Sequence, residues 1–221
     1  MATPVYSILI DFGTKIVLAG SSHVAAVEFL LGCSPDKEAH VSFVQHPNYT
    51  ESLFLRSIPL EELPLWTWDG KNRLFVPTDQ RHLTDTVRAR SRLAMSRLNV
   101  VSRIINNLNM ARNPVNTGII AQEVVYLTKR LEARRFKDLG YDESYIFEYP
   151  FVLQYAELVG ISPKQAADDI LLKASLDDQI LEKTEFLRLK YFNRIRKEND
   201  PNKMEEILVD FYRDCYVYSL S

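Results

Sequence analysis

The chain has 221 residues, enough for one large domain or two small ones, and 46% of them are hydrophobic, so a packed core is expected. A formal net charge of −2 excludes a global pull toward nucleic acid or an anionic membrane. No apolar run approaches the roughly 20 residues needed to cross a bilayer, so no membrane span is expected.

The first 78 residues read as β-rich. Residues 5–11 and 15–19 are short runs rich in Val, Ile and Tyr, bounded by Gly13 and Gly20. Between them, "ILIDFGTKIVLAG" (residues 8–20) resembles the first phosphate motif of the actin-like ATPase superfamily, an Asp-x-Gly-Thr turn between two strands. That resemblance implies Asp11 and Gly13 near ATP phosphates and Mg²⁺. The superfamily's second Asp-x-Gly turn and its Gly-Gly loop are missing, and none of the seven glycines adjoins another. The motif therefore reads as a hairpin turn shaped by Asp11 and Gly13.

"SHVAAVEFLL" reads as a helix with Ser21 or Ser22 as N-cap and Gly32 as stop, or as a strand. "HVSFV" and "SLFLRSI" read as strands separated by "QHPNYTE". "LWTWDGKNRLFVP" is a hairpin with its turn at Asp69-Gly70.

At Thr78 the period changes. No Gly or Pro occurs from Asp79 to Arg112, and a helix is expected over 79–112. Val87, Ser91, Ala94, Leu98, Val101, Ile105 and Leu108 alternate four and three apart, a heptad seam. Val87, Leu98, Val101, Ile105 and Leu108 are its apolar members and a candidate interface, within the chain or with a second one. Further helices are expected over 119–137, 150–159, 163–197 and 201–214, followed by an extended tail. Gly160 is a C′ stop, Ser162 with Gln165 forms a capping box, and Asp200 with Pro201 restarts the chain. Segregated strands and helices make this an α+β fold: a β-rich head over 1–78 and a helical domain over 79–221.

Charge is unevenly distributed. Residues 1–78 carry 5 Lys/Arg against 8 Asp/Glu, residues 79–137 carry 12 against 4, and residues 138–221 carry 10 against 17. A basic middle between acidic ends pairs with itself, with copies of itself, or with an acidic partner. On the expected helix, Arg81, Arg88, Arg92 and Arg103 form a candidate basic face for an acidic partner, and Arg90 with Arg97 forms another row. Nucleic-acid binding through this helix is the alternative of another class, disfavoured by the scarcity of interleaved aromatic residues and by the apolar seam on the same helix.

No catalytic, cofactor-binding or metal-binding residues are expected. The even spacing of His40 and His46 is compatible with one strand face, but Pro47 and the intervening residues disfavour a shared ligand geometry and no third ligand is near. Cys33 and Cys215 form no spacing motif, and no basic n-region marks a signal peptide. The carboxylate pairs Glu61-Glu62, Asp168-Asp169, Asp177-Asp178 and Glu205-Glu206 read as solvated faces.

The C-terminal third supplies the resemblance that bears on function. Tyr149-Pro150-Phe151, Ala156-Glu157, Gly160, Ser162, Ala167, Ile170, Glu185, Arg188, Ile195 and residues 204–208 follow one another as helix punctuation. This resembles a recurring segment of tailed-bacteriophage tail fibres, baseplates and tail-fibre-associated proteins. Leu176 stands about where that family usually carries Trp. The resemblance implies a non-enzymatic structural protein of the virion tail, in the baseplate, tail-fibre attachment or adaptor region, made in the bacterial host cytoplasm. Its partners would be other tail proteins and copies of itself. A tail-fibre assembly chaperone is the alternative.

Overall fold

The computed structural model describes residues 5–33, 38–44, 59–112 and 120–218. It is an α+β protein with small antiparallel sheets near the N-terminus and a mostly helical remainder. The change from strand to helix follows Thr78, yet the compact units are drawn differently. One comprises Met1–Asn107 with Arg188–Val217, and the other Leu108–Leu187 with Tyr218–Ser221. Residues 188–217 return to the first unit, a pairing that no local pattern carries, and so decide which residues share its core.

In the first unit, β1 (Val5–Asp11) is the central strand, with β2 (Val17–Ser21) on one side and β3 (Glu38–Val44) on the other, both antiparallel. The register sets Ile8 opposite Gly20 and Val41, and it shifts between Leu9 and Ile10. Ile8 and Ile10 enter a cluster with Val17, Leu63 and Trp68. Leu9, which alternation sends to the other face, is buried as well. A strand covered on both faces has no polar side to show, which suits the unbroken apolar stretch Ile8-Leu9-Ile10.

A short helix, α1 (Val24–Leu31), follows β2. His23 occupies its N-cap and contributes no side-chain cap; Ser21 Oγ instead accepts from the His23 N–H at 2.9 Å. The hairpin of β4 (Trp66–Asp69) and β5 (Leu74–Pro77) is present, but its turn takes four residues, 70–73. Positive φ falls on Arg73, at 54°, rather than on Gly70. The Asp69 carboxylate accepts from the N–H groups of Lys71 and Asn72, and these bonds select the longer turn. The expected strand "SLFLRSI" and the "QHPNYTE" turn lie outside the described residues.

The long helix α2 (Asp85–Arg112) begins six residues later than the sequence pattern indicates. Asp79 is spent on a local turn, accepting from the Arg81 N–H and side chain. Thr84 Oγ accepts from the Val87 N–H at 3.3 Å and is the effective cap. Residues 85–107 of α2 belong to the first unit.

The second unit contains α3 (Ile120–Asp138), a 3-10 turn (Glu143–Glu148), α4 (Pro150–Val159) and residues 163–187 of α5 (Pro163–Lys197). Gly140 and Tyr141, at φ 71° and 62°, end α3. Gly160, at φ 76°, ends α4 and donates to Ala156 O at 2.9 Å, the left-handed stop that glycine permits. Ser162 and Gln165 form the reciprocal capping box that starts α5. Phe136 anchors the core, edge-on to Tyr141 and tilted against Tyr149, with Val152, Ala156, Ala166 and Ala167 around it.

The last helix belongs to the first unit. It restarts as a 3-10 turn (Pro201–Lys203) capped by Asp200, then runs as α6 (Met204–Val217). The tail read as extended is helical through Val217, because Ile207, Leu208, Phe211 and Cys215 recur at helical spacing and are buried.

Candidate functional site

Asp11 is engaged by its own fold. One carboxylate oxygen accepts from the Thr14 N–H and hydroxyl, both at 2.8 Å. The other accepts from Arg90 at 2.6 Å. Burial works against the charge, but the Thr14 backbone and Arg90 outweigh it and hold the carboxyl below the usual aspartate range. Positive φ in this turn lies on Lys15, at 60°, not on Gly13. Both carboxylate oxygens thus have partners within the fold, as a hairpin turn requires. Glu38 shares the same guanidinium at 3.3 Å and behaves oppositely: burial dominates and raises its carboxyl.

The heptad seam is covered within the chain. Val87, Leu98, Val101 and Leu108 are buried, while Ile105 is half-buried and its neighbour Ile104 fully buried. Arg97, Val100 and Ile104 are buried beside the seam positions, so the buried stripe is wider than the two-position seam of a coiled coil, as on a globular amphipathic helix. Side chains already enclosed in this way offer no apolar seam to a second copy. Even Ser91 is buried there, donating to Leu18 O at 2.7 Å.

The arginines of the basic helix divide by partner. Arg81 pairs with Asp79, Arg90 with Asp11 and Glu38, and Arg103 with Glu205. Arg97, read from sequence as part of a surface row, is buried. It donates to the carbonyls of Arg196 and Glu198 at the C-terminal end of α5, where helix carbonyls lack partners. In the second unit Arg112 reaches Glu185, Arg130 reaches Asp178, and Lys137 reaches Asp168. Four cations of the basic middle, Arg103, Arg112, Arg130 and Lys137, are thus answered by carboxylates of the acidic C-terminal block. The side chains of Arg88 and Arg92 remain exposed, with no ion pair or hydrogen bond among the described residues. They line a cleft of about 800 Å³ in the first unit, with Ser21 at the end of β2 and Leu65 beside them.

Neither cysteine is activated. Burial raises both thiols, Cys215 to about 11, and the Asp214 charge adds to the shift at Cys215. No group of three metal-ligating side chains is found among the described residues, and no helix there is long and apolar enough to cross a membrane. His46 lies outside the described residues.

The second unit presents a different surface. Val124, Leu127 and Leu131 are exposed at three- and four-residue spacing on α3, and Leu172 and Leu176 are exposed four apart on α5. Phe147 and Leu158 are more than four-fifths exposed. Sequence patterning does not single out these positions, because an apolar residue on a helix looks the same in sequence whether or not another element covers it.

Comparison with protein-family models, with curated proteins and with solved structures finds no match for this chain.

Proposed function

We propose that this chain is a non-enzymatic structural protein of a bacteriophage tail, in the baseplate, tail-fibre attachment or adaptor region, and that it acts by protein–protein assembly. The observation that carries the reading is the exposed apolar rows of the second unit, Val124, Leu127 and Leu131 on α3 with Leu172 and Leu176 on α5. Apolar side chains repeated along a helix face gain free energy when a partner covers them, at roughly 25 cal/mol per Å² of apolar surface removed from water. Part of this surface lies within the C-terminal third, whose helix punctuation resembles tail proteins. The partners are then other tail proteins and copies of itself, with the chain made in the host cytoplasm and carried in the virion tail.

Quantitative mass spectrometry of purified virions tests this. A fixed ratio to other tail proteins supports a virion component. Presence in infected cells together with absence from virions replaces the component reading with that of an assembly chaperone. Leu127→Glu and Leu131→Glu should block incorporation while leaving the thermal unfolding of the isolated chain nearly unchanged, since both side chains are exposed.

A further inference from the structure

We propose that the cleft walled by Arg88 and Arg92 in the first unit binds an acidic peptide segment of a partner protein through its carboxylates. This inference does not depend on the tail reading, because it uses a different unit and a different chemistry.

Arg88 and Arg92 stand four residues apart on α2, so their guanidiniums project from one helix face. Both are exposed, and neither meets a carboxylate of its own chain among the described residues. Their neighbours Arg81, Arg90 and Arg103 all do. Two adjacent guanidiniums that meet no carboxylate among the described residues form a donor set suited to carboxylate oxygens.

The rest of the cleft selects the kind of acid. Ser96, Asn99 and Ser102 continue along the helix and offer hydroxyl and amide groups that pair with peptide N–H and C=O. Leu65 and Met95 supply apolar surface in the same lining, which an aliphatic side chain would cover. At about 800 Å³ the cleft falls in the range of ligand-binding sites. A nucleic-acid strand would call for a longer row of cations along its phosphates and an aromatic platform for its bases. Among the described lining residues, Arg88 and Arg92 are the only cations and no aromatic ring is present. Carboxylates, backbone amides and an aliphatic side chain together describe an acidic peptide.

The test titrates the full chain with a fluorescein-labelled hexapeptide of alternating Glu and Leu, with the same peptide carrying Gln for Glu, and with a ten-nucleotide single-stranded oligothymidylate. Fluorescence anisotropy is read at low and high salt. The Glu peptide should bind, should weaken as salt screens the charges, and should bind more tightly than the Gln peptide or the oligonucleotide. Arg88→Glu and Arg92→Glu should each weaken it by about tenfold or more. Arg134→Glu, the same charge change at an exposed position of the second unit, should leave affinity within about twofold. Circular dichroism checks folding, and Arg88→Gln with Arg92→Gln repeats the test if a reversed charge unfolds the protein. Absence of Glu-peptide binding at low salt, equal binding of the Gln peptide, preference for the oligonucleotide, or undiminished binding in folded Arg88 and Arg92 variants would each overturn the proposal.

Discussion

Arg90 donates to Asp11 at 2.6 Å although 79 residues separate them, tying the first turn of the chain to the long helix α2. The Asp11 carboxylate is stabilised in its charged form, so its contribution is present above the ordinary aspartate pKa and is lost as pH falls through the lower folded value. Asp11→Asn should cost about 1.5–3 kcal/mol at neutral pH, the range for a hydrogen bond to a charged group. Urea unfolding at pH 7 and at about pH 3 checks it: the gap to the wild type should narrow in acid, where the carboxylate protonates.

Glu38 carries the opposite sign. Its folded pKa is raised by burial, so its contribution is complete below the ordinary glutamate value and is lost as pH rises through the folded one. Glu38→Gln should therefore cost less at neutral pH than Asp11→Asn, and the wild type should gain on it as pH is lowered. The same urea series reads both variants. A larger loss for Glu38→Gln at pH 7 would contradict the assignment.

Leu98 and Val101 are enclosed core residues. Leu98→Ala should destabilise by about 3 kcal/mol, the cost of losing a buried side chain and leaving a cavity. Ile105→Ala should cost distinctly less, because Ile105 is only half-buried. Sedimentation of the folded variants should match the wild type. A changed oligomeric state with unchanged stability would instead assign the seam to a second chain.

Cys215 is buried, its thiol raised to about 11, and it contacts Asn107 Oδ1 at 3.5 Å. At pH 8 almost no thiolate is present, so alkylation should be slow in the native chain and fast in denaturant. Cys33, half-buried, should react first. Peptide mapping after timed iodoacetamide labelling separates the two.

Ser162 and Gln165 satisfy each other and the first turn of α5. Ser162→Ala should lower stability by about 1 kcal/mol, read as a fall in Tm. Gln165→Ala removes the reciprocal half and should cost less than the loss of Ser162.

Helix punctuation was legible because it is local. Gly160 stops α4 and Ser162 starts α5 through bonds that span at most four residues, so residue types at short spacing determine them. The same holds for Asp200 before α6. The start of α2 was read too early because Asp79 and Thr84 are both competent caps, and the local turn that claims Asp79 depends on the geometry of its Arg81 side chain.

The sequence by itself determined the fold class and the presence of a basic middle between acidic ends. These follow from period and composition, which every short window of the chain carries. Only the tertiary structure decided which cations stay free. Arg103 meets Glu205 across 102 residues, Arg97 meets the end of α5 across about as many, and Arg88 and Arg92 meet no carboxylate at all among the described residues. All of these arginines lie on one helix and look alike in sequence. What distinguishes them is whether a returning helix brings a carboxylate or a carbonyl within about 3 Å, the reach of a hydrogen bond.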